Sequence, residues 1–488
     1  MSMSLRELLS DSDVPDVVVI GLCEDSRSVQ QGDAFIAVRG DSTDGHRFVQ
    51  EACGNGAVAV LCEHLVDMGA RGNEQAPIAQ PPQIVVADLK ERRGALAAAF
   101  YGEPSRTMHC VGVTGTNGKT TIAHLVADMA GQLSHSAGYM GTIGWGAPGA
   151  LQAARLTTES ALTVHKRLAQ LLAKGHEWLA MEVSSHALTQ GRVAEVAFDV
   201  AVFSNLTRDH LDYHPSVDAY GAAKASLFAF PSLSAAVINL DDPFGQHLAG
   251  TLAPGVEMVG YGREADVSWQ NLEYTGEGIR GSWNTPWGKA ELRLPVAGEF
   301  SVANMAAAVA ALCVSGLDFD AVTEAAANVA PVPGRMEFFR APGRPPMVVD
   351  FAHTPDALDK VLEALRHHAS GRLICVFGCG GDRDAGKRPL MARAAERHAD
   401  VLWLTSDNPR SEEPAQILDD IAAGLSGGAC VHRCEDRAEA IGAALDAARA
   451  DDLVVVAGKG HEDYQEIAGV RTAYSDRDTV AKLLGVNC

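Results

Sequence analysis

A glycine-rich turn between an apolar strand and a helix constrains this chain more than any other feature. The run VGVTGTNGKTT occupies residues 111–121 and begins inside the apolar stretch Cys110–Val113. Glycine lets backbone N–H groups turn toward phosphate oxygens, and a helix N-terminus adds the positive end of its dipole. The residues that follow show the spacing of one buried helix face, at Ile122, Leu125, Val126 and Met129. The run predicts a nucleotide triphosphate site in which Lys119 reaches the terminal phosphates and the Thr120 hydroxyl faces magnesium.

The glycine spacing differs from the common phosphate-binding loop at one position. The common pattern has a glycine five residues before Gly118, where this chain has Val113. A short motif match alone is weak evidence, but strand, loop and helix in this order are the context that the motif requires. We therefore interpret the run as a shorter phosphate-binding loop rather than as a plain turn.

Composition and charge indicate a folded protein of several domains and exclude some partners. The chain has 488 residues, 47% of them apolar, which predicts about two to four domains. A net charge of −22 repels polyanions, so nucleic acid and anionic membranes are not expected partners. Acidic residues stand where a signal peptide needs an apolar stretch, and no segment approaches the ~18 apolar residues of a membrane span. We expect a cytoplasmic protein.

The ten cysteines do not suggest a disulfide framework in a chain of this length. Two pairs have spacings that raise the question of a metal, namely Cys375 with Cys379, and Cys430 with Cys434 around His432. Cys375 lies in an apolar strand pattern, where a core position is the simpler interpretation. Nothing resembles the two paired knuckles of a structural zinc site.

Strands alternate with helical patterns in the middle and last parts of the chain, which predicts βαβ units and mainly parallel sheets. Pro/Gly turns at Tyr101–Arg106 and Pro331–Arg335 are interpreted as linkers. In such sheets ligands gather beyond the carboxyl ends of the strands. Polar motifs follow the predicted strands there, so we expect two sheets that face a shared cleft. The strands are predicted at Cys110–Val113, Trp178–Val183, Phe198–Phe203, Ala235–Leu240, Met347–Phe351, Leu373–Phe377, Val401–Thr405 and Leu453–Ala457.

Glu182 ends an apolar strand, where a carboxylate needs a cationic partner. Burying an unpaired charge is costly, and a metal ion removes that cost. His210 follows the neighbouring strand and could meet the same ion. The alternatives are an exposed carboxylate at the strand end and a histidine that belongs to a loop or the core.

Eleven motifs in order give the chain a specific resemblance. They are DSRSVQQGDAFIAVRG, GTNGKTT, MEVSSHAL, SNLTRDHLDYH, YGAAKASLF, GEFSVANMAAA, PVPGRME, DFAHTPDAL, GCGGDRD, SDNPRSEEP and GKGHEDYQ. Together they resemble the Mur ligase family across essentially the whole chain, and within it the members that add meso-diaminopimelate. That family also uses the shorter phosphate-binding loop.

The resemblance implies an α/β protein of three domains. These are a uridine-nucleotide-binding domain at residues 1–104, a central ATPase domain with a mainly parallel sheet at 105–334, and a Rossmann-like domain that binds the amino acid at 335–488. It also implies a reaction. ATP phosphorylates the D-glutamate side-chain carboxylate of UDP-N-acetylmuramoyl-L-alanyl-D-glutamate, and the amine of diaminopimelate attacks the acyl phosphate to give amide, ADP and phosphate. We expect a monomer with small-molecule substrates only.

The resemblance also implies the residues of the ATP site and of its Mg²⁺. Thr120, Glu182 and His210 would hold the metal ion, and Lys224 matches the family's carbamylated lysine. A bare ammonium ~4 Å from a divalent ion would be repelled by roughly 8 kcal/mol at an effective dielectric of ~20, whereas a carbamate supplies a metal-binding oxygen. Lys119, Glu182, His210 and Lys224 are thus the expected catalytic set. Residues expected at ATP are Gly115, Thr116, Asn117, Gly118, Lys119, Thr120, Thr121, Asn304 at the adenine, Arg335 at the phosphates and Asp350 at the ribose.

The other two substrates are assigned residues by the same resemblance. The uridine nucleotide and its sugar-peptide arm would meet Glu24, Ser26, Asp41, Ser42, Thr43, Thr157, Thr158, Ser184, Gln190 and Arg192. Diaminopimelate would meet Arg383, Asp407, Asn408, Pro409, Arg410, Gly458 and Glu462. Diaminopimelate is lysine with one more carboxylate, which a guanidinium can pair with bidentately. The DNPR run at 407–410 therefore favours diaminopimelate over lysine.

Three alternatives stay open at this point. A lysine-adding relative is disfavoured by residues 407–410, and a folylpolyglutamate synthetase would not need the N-terminal nucleotide-binding segment. A phosphate-loop switch protein lacks support because the Asn-Lys-x-Asp guanine motif is absent from the sequence. No chemistry is assigned to His353 and His461.

Overall fold

The computed structural model describes residues 1–40, 43–68, 80–275 and 278–486. Three regions follow one another along the chain, and each contains a mainly parallel sheet covered by helices. This arrangement confirms the α/β class that the alternation of strands and helices predicts. Asp41 and Ser42, two of the residues expected at the uridine nucleotide, lie outside the described residues.

The N-terminal region is built on a four-stranded parallel sheet. Its strands, in spatial order, are Gly21–Cys23, Asp33–Ala37, Ala59–Cys62 and Gln83–Val85. The helices are Leu5–Leu9, Val49–Gly54 and Leu89–Tyr101, and a short antiparallel pair joins Met3–Ser4 to Val18–Val19. Ala34, Phe35, Ile36 and Ala37 are all buried, because helices cover both faces of the sheet.

The central region holds a seven-stranded sheet that is parallel except at one edge. The strands, in spatial order, are Glu257–Tyr261, Ala235–Asn239, Val200–Phe203, His109–Thr114, Trp178–Glu182, Ala137–Gly141 and Gly144–Gly146, of which the last pair is antiparallel. The helices are Lys119–Gln132, Ala161–Ala173, Ser185–Thr189, Val217–Ala225, Pro243–Ala249, Glu299–Val314 and Phe319–Ala327. A three-stranded antiparallel sheet is formed by Ser268–Thr275, Gly278–Thr285 and Gly288–Leu294.

The most apolar stretch of the chain is a buried core helix. Helix Glu299–Val314 shares one apolar core with helix Lys119–Gln132, and its residues from Met305 to Leu312 are all fully buried. Alanine on most faces of this helix allows its close packing between the neighbouring elements. Among the described residues, no helix combines the length and the apolar character that crossing a bilayer demands.

The C-terminal region holds a six-stranded sheet, again parallel except at one edge. Its strands, in spatial order, are Glu337–Phe339, Met347–Asp350, Leu453–Ala457, Leu373–Phe377, Val401–Leu404 and Cys430–Arg433, of which the first pair is antiparallel. The helices are Pro355–Arg366, Arg388–His398, Pro414–Ala422, Arg437–Ala447 and Asp476–Leu484. An antiparallel hairpin pairs Tyr464–Ile467 with Val470–Ala473.

All eight predicted strands are present, with ends shifted by at most two residues. The predicted helix after the glycine-rich turn is also present, and Ile122, Leu125, Val126 and Met129 are buried as its spacing indicates. Cys375 is fully buried in the core of the C-terminal sheet, as predicted.

Candidate active site

The glycine-rich turn joins the middle strand of the central sheet to helix Lys119–Gln132. Gly115 and Gly118 have φ values of +144° and +87°, which side chains other than glycine rarely adopt. A Cβ atom would lie 1.9 Å from Ser204 Oγ at Gly115 and 2.6 Å from Asn304 Oδ1 at Gly118. Backbone conformation therefore requires glycine at both positions, and Asn304 lies against the loop.

The neighbouring strand end fixes the position of this loop. The Asn117 N–H donates to Asn205 Oδ1 at 3.0 Å, and the Thr116 N–H donates to the Asn205 carbonyl at 2.8 Å. Thr116 Oγ1 also accepts a hydrogen bond from the Thr207 N–H at 3.0 Å. These bonds hold the loop open toward the carboxyl edge of the sheet, where ligands bind in this architecture.

Two lysines, of which Lys224 is buried, meet at one carbonyl of the loop. Lys119 Nζ donates to the carbonyls of Gly115 and Thr116, each at 2.9 Å, and Lys224 Nζ donates to the same Gly115 carbonyl at 2.7 Å. Burial lowers the pKa of Lys119. Burial and the nearby charge of Lys119 hold the pKa of Lys224 well below its ordinary value. The structure thus brings the two predicted lysines together. The lowered pKa of Lys224 favours its neutral amine form.

Glu182 is fully buried next to the loop. Its carboxylate accepts hydrogen bonds from Thr120 Oγ1 at 2.9 Å, from the Thr142 N–H at 2.8 Å and from Thr142 Oγ1 at 3.1 Å. The Tyr139 hydroxyl donates to it as well, and burial together with this carboxylate raises the pKa of Tyr139 well above its usual value. In the described part of the chain, Glu182 has no basic partner at ion-pair distance, and Thr120 lies beside it.

His210 does not join Thr120 and Glu182. Its ring packs against His186 with ring centroids 4.9 Å apart, and its Nε2 lies 3.5 Å from Asp209 Oδ2. Its backbone has a φ of 53°, and no hydrogen bond links it to Glu182 among the described residues. Burial lowers the pKa of His210, which keeps the imidazole neutral and able to act as a ligand.

A cavity of about 530 Å³ lies between the loop and the C-terminal sheet. Six of the residues predicted for ATP line it, from both sides: Asn117, Gly118, Thr121, Asn304, Arg335 and Asp350. Arg335 Nη2 donates to Thr120 Oγ1 at 3.1 Å, and its guanidinium lies 4.5 Å from the centre of the Phe351 ring. Such a volume, enclosed by backbone amides, an arginine and an aromatic ring, suits a nucleotide.

Asp350 is buried at the end of strand Met347–Asp350. Its carboxylate accepts hydrogen bonds from the N–H groups of Met336 at 2.7 Å and Ala352 at 2.8 Å. Burial raises the pKa of Asp350, partly offset by the nearby Arg335. A further hydrogen bond crosses the cavity, in which Asn117 Nδ2 donates to Asp356 Oδ2 at 3.3 Å.

The residues predicted along the sugar-peptide arm form a connected chain that reaches Glu182. Thr158 Oγ1 donates to the Glu182 carbonyl at 2.9 Å, and the Thr158 carbonyl accepts from Arg192 Nη1 at 2.8 Å. Arg192 Nε donates to Gln190 Oε1 at 2.9 Å, and the Ser184 N–H donates to Thr158 Oγ1 at 3.1 Å. Thr157 Oγ1 accepts a hydrogen bond from Thr142 Oγ1 at 3.0 Å.

The residues predicted at the uridine end are more scattered. Glu24 accepts from Arg93 Nη1 at 3.1 Å, and Ser26 donates to Glu51 Oε2 at 2.7 Å. The carbonyl of Thr43 accepts from the Gly40 N–H at 2.8 Å. These three side chains are not joined by hydrogen bonds in the described residues, so a nucleotide would have to bridge them.

The residues predicted for the third substrate cluster at the carboxyl ends of the C-terminal strands. Asn408 Nδ2 donates to Glu462 Oε2 at 2.9 Å, and a Cβ atom at Gly458 would lie 2.7 Å from Asp407 Oδ2. Arg383 and Arg410 flank Gly380, where a Cβ atom would lie 3.7 Å from Arg383 Cγ and 2.9 Å from Arg410 Nη1. Two arginines and two carboxylates that lie this close together can bind a zwitterionic amino acid.

The two loops of this cluster are tied to each other. Arg410 Nη1 donates to the Gly381 carbonyl at 2.7 Å, and the Gly381 N–H donates to the Asn408 carbonyl at 2.9 Å. The carbonyl of Pro409 lies against Gly381, where a side chain would collide with it. The predicted residues of both loops are thus brought together by backbone contacts.

Sequence reasoning missed several residues of these sites. Tyr139 lies in strand Ala137–Gly141 and Thr142 directly follows it, and no local pattern marks either residue. Lys459 is fully buried against Asn408 and Glu462. The GKGHEDYQ motif contains Lys459, so its position between two glycines at a strand end was the available signal.

Comparison with known proteins gives matches along almost the whole chain. Three family models match in succession: the Mur ligase family, catalytic domain, at residues 19–101, the Mur ligase middle domain at 113–312, and the Mur ligase, glutamate ligase domain, at 334–460. The UDP-N-acetylmuramoyl-L-alanyl-D-glutamate--2,6-diaminopimelate ligase of Ectopseudomonas mendocina is 46% identical over 479 residues, which cover 98% of this chain and 97% of that protein.

Solved structures share the architecture. One of a UDP-N-acetylmuramoyl-L-alanyl-D-glutamate--2,6-diaminopimelate ligase matches with a TM-score of 0.70 and 37% identity, covering 99% of both chains. The MurF ligase of Thermotoga maritima in complex with ADP matches with a TM-score of 0.66 over 91% of this chain and 95% of that one, at 20% identity, and supports the fold alone. Since the family models and a relative at 46% identity span nearly its full length, the chain belongs to the Mur ligase family.

Proposed function

We propose that this chain joins meso-diaminopimelate to the D-glutamate side-chain carboxylate of UDP-N-acetylmuramoyl-L-alanyl-D-glutamate at the expense of ATP, in peptidoglycan precursor synthesis. It is an acid–amino-acid ligase that forms ADP, as its family membership and its similarity to diaminopimelate ligases indicate. The observation that carries the proposal is the cavity between the phosphate loop and the C-terminal sheet, with the arginine-flanked cluster of residues 407–410 on the same sheet edge.

The phosphate loop supplies the electrostatics of the first step, in which two anions must approach each other. We assign Gly115–Thr121 to the phosphates of ATP, with Lys119 against the terminal groups and Arg335 on the opposite side. Positive groups fixed where charge develops lower the barrier without reorganisation. Asn304 is assigned to the adenine and Asp350 to the ribose. The carboxylate of D-glutamate attacks the terminal phosphorus, ADP leaves, and the acyl phosphate then receives the amine of diaminopimelate.

Mg²⁺ suits the oxygen groups beside the loop. Glu182 is a fully buried carboxylate with no basic partner in the described residues, and the Thr120 hydroxyl lies 2.9 Å from it. Magnesium usually takes one or two carboxylates plus substrate phosphates, which agrees with the absence of a ready-made cluster of three His, Cys, Asp or Glu in the described ranges. We assign Thr120 and Glu182, which are in contact, as two residues that would hold it, and His210 as a third that would have to turn from His186 toward the ion. When bound, Mg²⁺ neutralises phosphate charge.

Lys224 is proposed to carry a carbamate. Its burial and its proximity to Lys119 disfavour a second ammonium at the Gly115 carbonyl, and an uncharged amine is the form that adds CO₂. The resulting anion would face Lys119 and could hold a metal ion, where a bare ammonium would be repelled. Lys119, Glu182, His210 and carbamylated Lys224 thus form the proposed catalytic set.

The two organic substrates are placed by the remaining clusters. The connected residues Thr157, Thr158, Ser184, Gln190 and Arg192 are assigned to the sugar-peptide arm, because their hydrogen bonds connect Arg192 to Glu182. Glu24, Ser26 and Thr43 are assigned to the uridine nucleotide. Arg383, Asp407–Arg410, Gly458 and Glu462 are assigned to diaminopimelate, whose additional carboxylate the arginines can pair with.

The remaining features of the proposal concern the whole chain. We propose functional domains at residues 1–104, 105–334 and 335–488, each of which contains one of the parallel sheets described above. The protein would act in the cytoplasm as a monomer. Because ATP and the acceptor amino acid lie on different regions, the reaction would need these regions to close on each other.

The test is release of ADP by the purified protein with UDP-N-acetylmuramoyl-L-alanyl-D-glutamate, ATP and Mg²⁺. Diaminopimelate, lysine or no amino acid is offered in parallel, and dihydropteroate with glutamate serves as a further arm. We expect ADP release that requires both the nucleotide peptide and diaminopimelate. Release driven best by lysine, or by the folate substrate, would replace the proposal with one of those activities.

A further inference from the structure

Lys459 is a fully buried lysine in the acceptor cluster, two residues after the end of strand Leu453–Ala457. Its Nζ donates to Asn408 Oδ1 at 3.1 Å and to Glu462 Oε2 at 3.0 Å, and it lies 4.0 Å from Asp407 Oδ1. Lysine is almost never fully buried unless it is paired. All three partners of this buried cation belong to the proposed diaminopimelate site.

Lys459 fixes which way the Asn408 amide points. Asn408 Oδ1 accepts from Lys459 Nζ and, at 2.9 Å, from the backbone N–H of Glu466. An ammonium and a backbone N–H can only donate, so the amide oxygen must face them. The Asn408 Nδ2 group then points to Glu462, where one of its hydrogens is used. Its second N–H is left for a ligand.

Lys459 also makes the two carboxylate oxygens of Glu462 differ in their hydrogen bonding. Oε2 accepts from both Lys459 and Asn408, whereas Oε1 accepts no hydrogen bond within the described ranges. The side chain of Glu462 is 23% exposed and that of Lys459 is 0% exposed. The carboxylate of Glu462 is therefore partly exposed and has one oxygen that accepts no hydrogen bond among the described residues, while the lysine is fully buried.

We infer that Lys459 is a positioning residue for the acceptor amino acid, and this inference rests on the proposed function. It holds Glu462 so that Oε1 accepts from an ammonium group, and it holds Asn408 so that its second N–H donates to a carboxylate. An amino-acid end carries both groups, and Arg410 nearby completes the carboxylate contact. Lys459 does not touch the substrate itself, because its side chain is fully buried and its ammonium group is already bound to Asn408 and Glu462.

Loss of Lys459 should therefore act on the acceptor rather than on ATP. In Lys459→Met the apolar stem is kept, but Glu462 loses its countercharge and Asn408 loses one of two donors. A hydrogen bond to a charged group is worth enough for at least about a tenfold rise in KM for diaminopimelate. The KM values for ATP and for the nucleotide peptide should stay within about threefold, and the preference for diaminopimelate over lysine should fall.

The experiment measures ADP release by wild type, K459M, E462Q and K459M/E462Q, with exposed Lys482→Met as the matched control. If Lys459 acts through Glu462, adding K459M to E462Q changes the KM for diaminopimelate much less than it changes that of wild type. The double variant leaves no unpaired charge in this pair, so it answers the question against E462Q even where K459M alone does not fold.

Each outcome decides the inference. A raised KM for diaminopimelate with unchanged ATP parameters supports it, as does a double variant close to E462Q. An unchanged KM in K459M, an equal loss for ATP and acceptor, or full multiplication of the two single effects overturns it. Wild-type protein that releases no ADP with diaminopimelate would instead refute the proposed function, and that arm is read first.

Discussion

Replacing Lys224 tests the electrostatic design of the phosphoryl-transfer site. Its Nζ lies 2.7 Å from the Gly115 carbonyl, which Lys119 Nζ also contacts at 2.9 Å. As an ammonium ~4 Å from Mg²⁺ it would oppose the ion by roughly 8 kcal/mol at an effective dielectric of ~20. As a carbamate it would reverse that sign. The account therefore requires that the nitrogen carry an anionic group during turnover.

In Lys224→Ala this anionic group is lost, while the loop and its backbone amides remain. If half of the ~8 kcal/mol is realised in the transition state, turnover falls by about 1,000-fold. The KM for ATP should stay within about threefold, because the residues assigned to ATP binding are unchanged. The exposed Lys289→Ala variant is the matched control and should keep wild-type turnover.

The assay is steady-state release of ADP with all three substrates, repeated in buffer depleted of CO₂. Wild type should lose activity reversibly on depletion and recover with bicarbonate, whereas Lys224→Ala should respond to neither. Turnover of Lys224→Ala within about tenfold of wild type would refute the reasoning, since a contribution that small is below the electrostatic effect worked out above. If wild-type activity does not depend on CO₂, the carbamate is refuted, while a role for the lysine itself remains.

Three further predictions concern specificity, pH and stability. In a competition assay, Arg410→Ala should lose most of the preference for diaminopimelate over lysine, and an unchanged preference would remove Arg410 from this role. Burial raises the pKa of Glu396, but hydrogen bonds from the Ser426 N–H and hydroxyl and from the N–H groups of Gly427 and Gly428 outweigh this effect and hold the pKa at about 2. Its stabilising effect is thus complete above its unfolded pKa and lost as pH falls toward about 2. Thermal melting should show Glu396→Gln less stable than wild type at pH 7, with a gap that closes on acidification, and a constant gap would contradict this. Arg437 and Asp476 form a fully buried ion pair with bonds of 2.7 and 2.8 Å. Arg437→Met should cost about 3–5 kcal/mol of unfolding free energy in urea, because a lone carboxylate stays buried, and a cost below about 1 kcal/mol would contradict this.

The features predicted from sequence are those that adjacent residues determine. The glycine-rich turn, its helix and the strands are encoded by local spacing, so their positions hold to within two residues. Clusters at strand ends are also predictable in outline, because parallel strands bring their carboxyl ends to one edge. Asn408 and Glu462 meet for this reason, although they are 54 residues apart.

The features that escape prediction depend on packing between distant segments. Tyr139 and Thr142 reach Glu182 only because their strand lies beside strand Trp178–Glu182. The GKGHEDYQ motif marks the position of Lys459, but lysine is usually exposed, and its 0% exposure depends on packing against Asn408 and Glu462. The direction of His210 is set by a backbone in the left-handed region and by the ring of His186. Neither can be read from the residues around it.

The most direct test of the account is a crystal structure with a non-hydrolysable ATP analogue and Mg²⁺. The account predicts the phosphates on Gly115–Thr121, the base beside Asn304, and the metal ion bound to Thr120 and Glu182. A nucleotide bound elsewhere, or a cavity that stays empty at saturating analogue, would contradict the central claim that phosphoryl transfer takes place between the central and C-terminal sheets.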